Sequence, residues 1–477
     1  MRIDSDLLGE MEIPDDVYYG AQTLRTIELF EPSKELINQF PEFINAVAAI
    51  KKSCALVHGD LKLIDPEIVD AIAAACDEVR DGIFNNDLIL DMLSGNDFSP
   101  INMNFNEVIA CRANEIITGE KGYTAVQPNT HVNMGQSTCD SAYSAARFGL
   151  YSEIEKVKKS VQKLSDAYHS QAEKYKDSVK VSHTCFQDAA PITMGQFFGA
   201  AVSFLNRQLN HLDGIQSELK THAIGYTVIG TGLGSFSGFH ERINDVLSRE
   251  LGYEVTFGDD PVDQLQYADV FLRAQNALKS VITGVSKMAR DIRIMSSGPD
   301  AGFSEIQIEA VQNGSSFFPG KINPSLAELV NIACYQVCGY STSITMAVEA
   351  GELDVTPWYP VFTVNTLNSA KIIYKAINAF SDKCISTLTV NVESNYKKAV
   401  QSMGMAVAVS AVLGYKTATK VALYAGENNL TIKEAVIKMG LMSEEQANLV
   451  IDPLLLTNVD ESSQLLLDGA LNAKKRY

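Results

Sequence analysis

Eleven residues, Gly314-Ser315-Ser316-Phe317-Phe318-Pro319-Gly320-Lys321-Ile322-Asn323-Pro324, hold two adjacent hydroxyls, an ammonium and an amide just ahead of a long helical pattern. Glycine lets backbone N–H groups come close to a ligand. Hydroxyl, ammonium and amide donors together suit a carboxylate, with Lys321 as a point charge and the neutral donors fixing its orientation. The same residue types also suit a helix-entry turn, with serine as cap and proline near the first turn. The run by itself leaves both readings open.

A site of this kind needs rigid elements behind it, and the middle of the chain supplies them. Apolar residues recur three and four apart at Ile154, Val157, Val161, Leu164 and Tyr168, then at Phe198, Val202, Leu205, Leu209 and Leu212. Leu278, Ile282, Val285, Ala289 and Ile292 keep the same beat, as do Val330, Ala333, Val337, Tyr340, Ile344 and Ala347. That spacing predicts apolar stripes on four or five long helices between residues 142 and 395. Residues 1–141 read as helices mixed with loops, and 396–477 as shorter helices, one starting at Thr431 with Glu434 completing a capping box. Stripes on more than one face call for self-association into a closed oligomer. Gly230-Thr231-Gly232-Leu233-Gly234 is no Walker motif and follows no βαβ pattern, so it does not predict a nucleotide site.

A net charge of −19 without a basic stripe argues against nucleic acid. No apolar run reaches the length of a membrane span, and the charged first residues predict no signal peptide. The eight cysteines include no Cys-x-x-Cys pair and sit mostly among apolar neighbours, which predicts reduced thiols in a cytoplasmic protein. Cys334 and Cys338 lie one helical turn apart but lack further ligands nearby, so core packing is the expected role. His131 and His183 have no triad or metal spacing and read as structural.

Several segments resemble, in matching order, the aspartase/fumarase superfamily. They are Gly9-Glu10-Met11-Glu12-Ile13-Pro14, Tyr19-Gly20-Ala21-Gln22-Thr23, the Asn102–Ile109 stretch, the His131–Thr138 stretch, Gln187-Asp188-Ala189-Ala190-Pro191 and the 314–324 run. The tail from Gly414-Tyr415 through Asp452-Pro453 is similar to the small third domain of the fumarase and bacterial aspartase branch. The resemblance implies an all-α subunit of three domains, 1–141, 142–395 and 396–477, with a central long-helix bundle. It further implies a homotetramer whose active sites are built from loops of three subunits. The substrate would be a small carboxylate, with no metal or organic cofactor.

Such enzymes add or remove a small group across a carbon–carbon double bond. By motif position, Ser315 matches the catalytic base, with Ser316 beside it; Lys321, Asn323 and Thr184 match the grip on the α-carboxylate. Ser99, Ser137 and Thr138 match hydroxyls that receive the group where negative charge develops, and Glu328 matches an acid that normally supports a histidine.

Two departures fall on the subsite for the leaving nitrogen. Cys139 stands where the family has Asn, and Cys185 where it has His or Gln. Each lost hydrogen bond to a charged group costs about 1.5–3 kcal/mol. Phe317, Phe318, Trp358 and Tyr359 add aromatic surface where other residues are usual. Soft sulfur and aromatic faces suit a quaternary ammonium. The first expectation is therefore a carbon–nitrogen lyase acting on a trimethylammonium betaine, of the ergothioneine type, and releasing trimethylamine. The alternative is aspartate ammonia-lyase, giving fumarate and ammonia; fumarate hydratase and a catalytically silent structural homologue rank lower.

Overall fold

Apolar side chains at helical spacing become five long helices in the computed structural model, which describes residues 1–30 and 32–474. In chain order the main elements begin with the hairpin of β1 (Arg2–Asp6) and β2 (Gly9–Ile13), followed by helices α1 (Pro41–Asp60) and α2 (Ser99–Thr118). Next come α3 (Thr138–Lys174), the hairpin of β3 (Val179–Thr184) and β4 (Gln187–Thr193), and α4 (Met194–Leu219). Then follow α5 (Asp269–Met295), α6 (Ser325–Glu349) and α7 (Tyr359–Phe380). The fold class is all-α.

The stripes of α3 and α5 are buried throughout, whereas those of α4 and α6 are buried in part, with Val202, Leu209 and Tyr340 half-buried. Ile154, Val157, Val161, Leu164 and Tyr168 of α3 are buried, as are Leu278, Ile282, Val285, Ala289 and Ile292 of α5. Helix α3 starts at Thr138, ahead of the expected residue 142, because Ser137 caps it: the Cys139 N–H donates to Ser137 Oγ at 3.3 Å, and the Ser137 N–H donates to Asp140 Oδ1 at 2.8 Å.

Four two-stranded sheets escape the periodicity argument. Besides the two hairpins, Thr221–His222 pairs in parallel with Thr256–Phe257, and Ile306–Gln307 pairs antiparallel with Thr389–Val390. Strands this short contain too few residues for an alternating pattern to register.

The described chain divides into two compact units. One comprises Met1–Lys159, Gln208–Thr283 and Ala333–Lys375; the other comprises Ser160–Arg207, Gly284–Ile332 and residues 376 onward. Within the second unit the C-terminal helices enclose a core of their own, including Ala408, Val421, Ala425, Val436 and Ala447. Thr431 and Ser443 each start a helix there with a full capping box, partnered by Glu434 and Gln446. Among the described residues no helix is long and apolar enough to cross a membrane.

Two glycines set how closely backbones approach. A Cβ on Gly149 of α3 would lie 3.2 Å from the Phe43 Cα of α1, and one on Gly195 of α4 would lie 2.5 Å from the Lys176 Cα. Neither neighbour is a side chain that can turn away. Gly195→Ala is therefore expected to destabilise the protein by about 1–3 kcal/mol through overpacking, read as a lower urea midpoint than that of the wild type.

Candidate functional site

The first group of expected site residues lies in the first unit, where two helix N-termini meet. Ser99 opens α2 and Thr138 opens α3. One turn into α2, Asn102 Nδ2 donates to Thr138 Oγ1 at 3.3 Å and to Asn133 Oδ1 at 3.2 Å. Lys51 Nζ donates to the same Asn133 oxygen at 2.9 Å. Unpaired N–H groups and the helix dipole make each N-terminus partly positive. Two such ends side by side, edged by the half-buried Ser99, Ser137 and Thr138, favour an anion.

Beneath them lies Asp140, fully buried. Its Oδ2 accepts from the Gly225 N–H at 2.9 Å and the Thr227 N–H at 3.0 Å, while Oδ1 takes the Ser137 N–H. Burial still pushes its pKa up to about 6. Cys139 is only 7% exposed, and burial followed by the Asp97 charge raises its thiol to about 11, so it is neutral near pH 7. Tyr143 donates to Asp97 Oδ2 at 2.6 Å and stacks on Tyr359 with ring centroids 3.4 Å apart. Tyr359 is thus part of the core, whereas Trp358 stays partly exposed and donates Nε1–H to the Ala350 carbonyl at 2.6 Å.

The 314–324 run forms a loop closed on itself in the second unit. The Gly314 N–H donates to the Lys321 carbonyl at 2.9 Å, and Asn323 Nδ2 donates to the Gly314 carbonyl at 2.8 Å. Ser315 Oγ accepts two backbone N–H groups, from Phe317 at 3.0 Å and Phe318 at 2.9 Å. The capping geometry is real, and it is also the geometry that lowers the cost of a negative charge on that oxygen. Ser316 and Lys321 are exposed. Lys321 Nζ lies 6.0 Å from the Phe318 ring centre. The Phe317 and Phe318 rings meet edge to face, at 80% and 57% exposure.

Thr184 and Cys185 sit at the tip of the β3–β4 hairpin. Cys185 and Phe186 take φ of 52° and 60°, a two-residue turn with both residues left-handed. Neither is glycine or asparagine, so the tip holds roughly 1–2 kcal/mol of strain per residue. Behind it, His183 Nε2 pairs with Glu305 Oε1 at 2.7 Å and Lys180 Nζ with Glu305 Oε2 at 2.5 Å. His183 is a structural anchor of the hairpin, in keeping with its sequence. A cavity of about 310 Å³ beside it is lined by Cys185, Phe186, Phe197 and Phe303. Glu328 has Arg293 as its partner, at 3.6 Å, in place of the expected histidine.

The expected residues divide between the two units. Ser99, Ser137, Thr138, Cys139, Trp358 and Tyr359 belong to one unit; Thr184, Cys185, Ser315, Ser316, Phe317, Phe318, Lys321, Asn323 and Glu328 belong to the other. Among the described residues, no hydrogen bond joins the hairpin tip to the 314–324 loop. Reasoning from sequence missed Lys51, Asp97, Asp140 and Tyr143. Only Asp140 carried a local signal, the Ser-x-x-Asp spacing of a capping box.

Comparison with known proteins decides the family. A lyase family model matches residues 9–339, and a fumarase C C-terminus model matches 405–458. The chain belongs to the aspartase/fumarase superfamily. It is 35% identical to an aspartate ammonia-lyase of Bacillus sp. over 96% of this chain and 98% of that one, and 33% identical to the Escherichia coli K12 enzyme of that name over 94% of each. Among solved structures it matches a fumarate lyase:delta crystallin from Brucella melitensis with a TM-score of 0.92 at 33% identity, covering 96% of this chain and 99% of that one. It also matches the class II fumarase of Schistosoma mansoni, with a TM-score of 0.91 at 27% identity and the same coverage of each chain. This member of the superfamily is an enzyme of the carbon–nitrogen lyase class.

Lys51 gives this site a distinctive stability profile. Complete burial lowers its pKa from 10.5 to about 8. Between those values the unfolded chain carries a proton that the folded chain lacks, so this group's contribution to stability rises with pH across the window and is least below about 8. Lys51→Met removes the titration. The difference in urea midpoint, wild type minus variant, is expected to grow in favour of wild type between about pH 8 and about pH 10.

Proposed function

We propose that the protein is an ammonia-lyase acting on a small α-amino dicarboxylate, with L-aspartate going to fumarate and ammonia as the leading reaction. The observation that carries this reading is the pair of N–H groups on Ser315 Oγ, in the same loop as Lys321 and Asn323. Serine is a poor base in water, and two fixed donors are what an alkoxide needs. The relatives' shared name favours aspartate over the betaine that the two cysteines suggested.

In the proposed reaction Ser315 takes a proton from the carbon beside the second carboxylate. The electron pair moves into that carboxylate, which gains charge facing the paired helix ends at Ser99, Ser137 and Thr138. The pair then returns to form the double bond as the carbon–nitrogen bond breaks, and nitrogen leaves with its electrons. Lys321, Asn323 and Thr184 hold the α-carboxylate throughout. Membership of the superfamily supports a homotetramer in which several subunits complete each site. A cytoplasmic setting fits the free cysteines.

A second reading keeps the engine and changes the leaving group. The neutral thiol of Cys139 and the open faces of Phe317 and Phe318 suit a trimethylammonium group, which departs as a neutral amine and needs no proton.

Purified protein given L-aspartate is expected to produce fumarate absorbance, and Ser315→Ala to lower kcat by about 10²–10⁴-fold with the fold intact. Absence of fumarate together with trimethylamine release from a betaine panel would install the second reading. Full activity in the Ser315→Ala variant would displace Ser315 as the base.

A further inference from the structure

The carboxylate of Asp97 has no role in the reaction as described, yet its charge acts on Cys139, which stands at the expected nitrogen subsite. It lies two residues before Ser99, in the loop that leads into α2. Its Oδ2 takes the Tyr143 hydroxyl at 2.6 Å, and that hydroxyl also lies 3.0 Å from the Thr356 carbonyl. Cys139, one turn earlier on α3, feels the Asp97 charge, which after burial does most to raise its thiol, so the carboxylate lies near the residue that stands in place of the family's asparagine. The other oxygen, Oδ1, is out of water and makes no bond of hydrogen-bond geometry; burial pushes the carboxyl up to about 6, against the Tyr143 hydroxyl and the Phe98 N–H, which favour its charged form.

A shielded, unpaired carboxylate oxygen is costly unless a cation comes to it. Asn96 and Asp97 are both left-handed, with φ of 65° and 55°, a turn that these two residue types adopt more readily than other non-glycine residues. The side chain itself is only half-buried, two residues ahead of Ser99.

We propose that Asp97 is the receptor for the substrate's cationic nitrogen, and that Tyr143 positions it. A full negative charge then replaces the neutral hydrogen-bond acceptors that Cys139 and Cys185 no longer supply. The proposal rests on the carbon–nitrogen lyase reading, and it does not require the nitrogen to carry N–H groups. A purely structural Asp97, one that only holds Tyr143 or neutralises the start of α2, predicts something else: loss of all ligands alike.

The test uses the full-length protein carrying Ser315→Ala, so that bound ligands are not consumed, and calorimetry with matched pairs. L-aspartate is compared with succinate, and a trimethylammonium carboxylate with its tert-butyl isostere. The nitrogen-bearing member of at least one pair is expected to bind about 10-fold or more tightly, and Asp97→Asn to weaken it by about 10- to 100-fold, the cost of a lost bond to a charged group. The nitrogen-free member should be unaffected. Asp97→Glu keeps the charge and is expected to keep the discrimination, which decides the matter should the Asn variant fail to fold. Unchanged discrimination in Asp97→Asn, parallel loss of both members, or a folded Asp97→Glu protein that binds both alike would overturn the assignment. So would the absence of discrimination in every pair. The lyase reading fails separately: no amine release by the wild type with discrimination intact refutes the reaction and leaves the receptor standing.

Discussion

Asp140 commits both oxygens to backbone N–H groups of separate segments, Ser137 on one side and Gly225 with Thr227 on the other. With no water around it, this carboxylate has no alternative partners, so the two segments share one geometry. The consequence runs outward. Fixing Ser137 fixes the first turn of a 37-residue helix. That turn presents Thr138 to Asn102, and Asn102 in turn ties α2 to the Asn133 and Lys51 pair. A pair of helix ends that could bind an anion exists because a buried anion already holds one of them from below.

Rigid helices and strained connections divide the work. The hydroxyls at the helix starts belong to elements whose stripes are wholly buried, so their positions cannot drift without opening the core. Thr184 and Cys185, by contrast, stand on a two-residue turn that neither residue type favours, held by the buried Lys180–Glu305–His183 group. The 314–324 loop closes on its own backbone, and its two phenylalanines face outward. A loop that holds its serine internally, while remaining exposed, can deliver a base to a site completed by other segments. That is what a reaction needs when it must open to admit substrate and then exclude water.

How much of this could be read in the residues follows from what each signal depends on. The long helices were legible because burial repeats every three or four residues and leaves a stripe, as Ile282, Val285 and Ala289 do. The hairpins were not, since each strand is at most seven residues long and β4 contains Pro191. The Ser315 loop was legible by residue type, but which backbone groups serve its hydroxyl was not: Phe317 and Phe318 were read for their rings, and their N–H groups are what matters. Tyr359 was read as surface near a ligand and is a core ring stacked on Tyr143. Lys51 and Asp97 look like solvated charges in a list of residues, and only the fold takes them out of water.

The two cysteines illustrate the limit of reading a substrate from a departure. Losing Asn at 139 and His or Gln at 185 removes hydrogen-bonding partners, which taken alone argues for a nitrogen without N–H groups. That inference assumes nothing else compensates. A thiol held near a pKa of about 11 is neutral and offers little to an ammonium, yet the charge that helps hold it there belongs to Asp97, two residues from Ser99. At a few ångströms in a shielded site, a full charge attracts a cation more strongly than a pair of neutral acceptors does. It attracts ammonium and trimethylammonium alike, differing only in how close each can come. The proposed proton abstraction is therefore compatible with the cysteine replacements under either substrate. What would discriminate between the two amines is the room left around that carboxylate by Cys139, a question of volume rather than of hydrogen bonds.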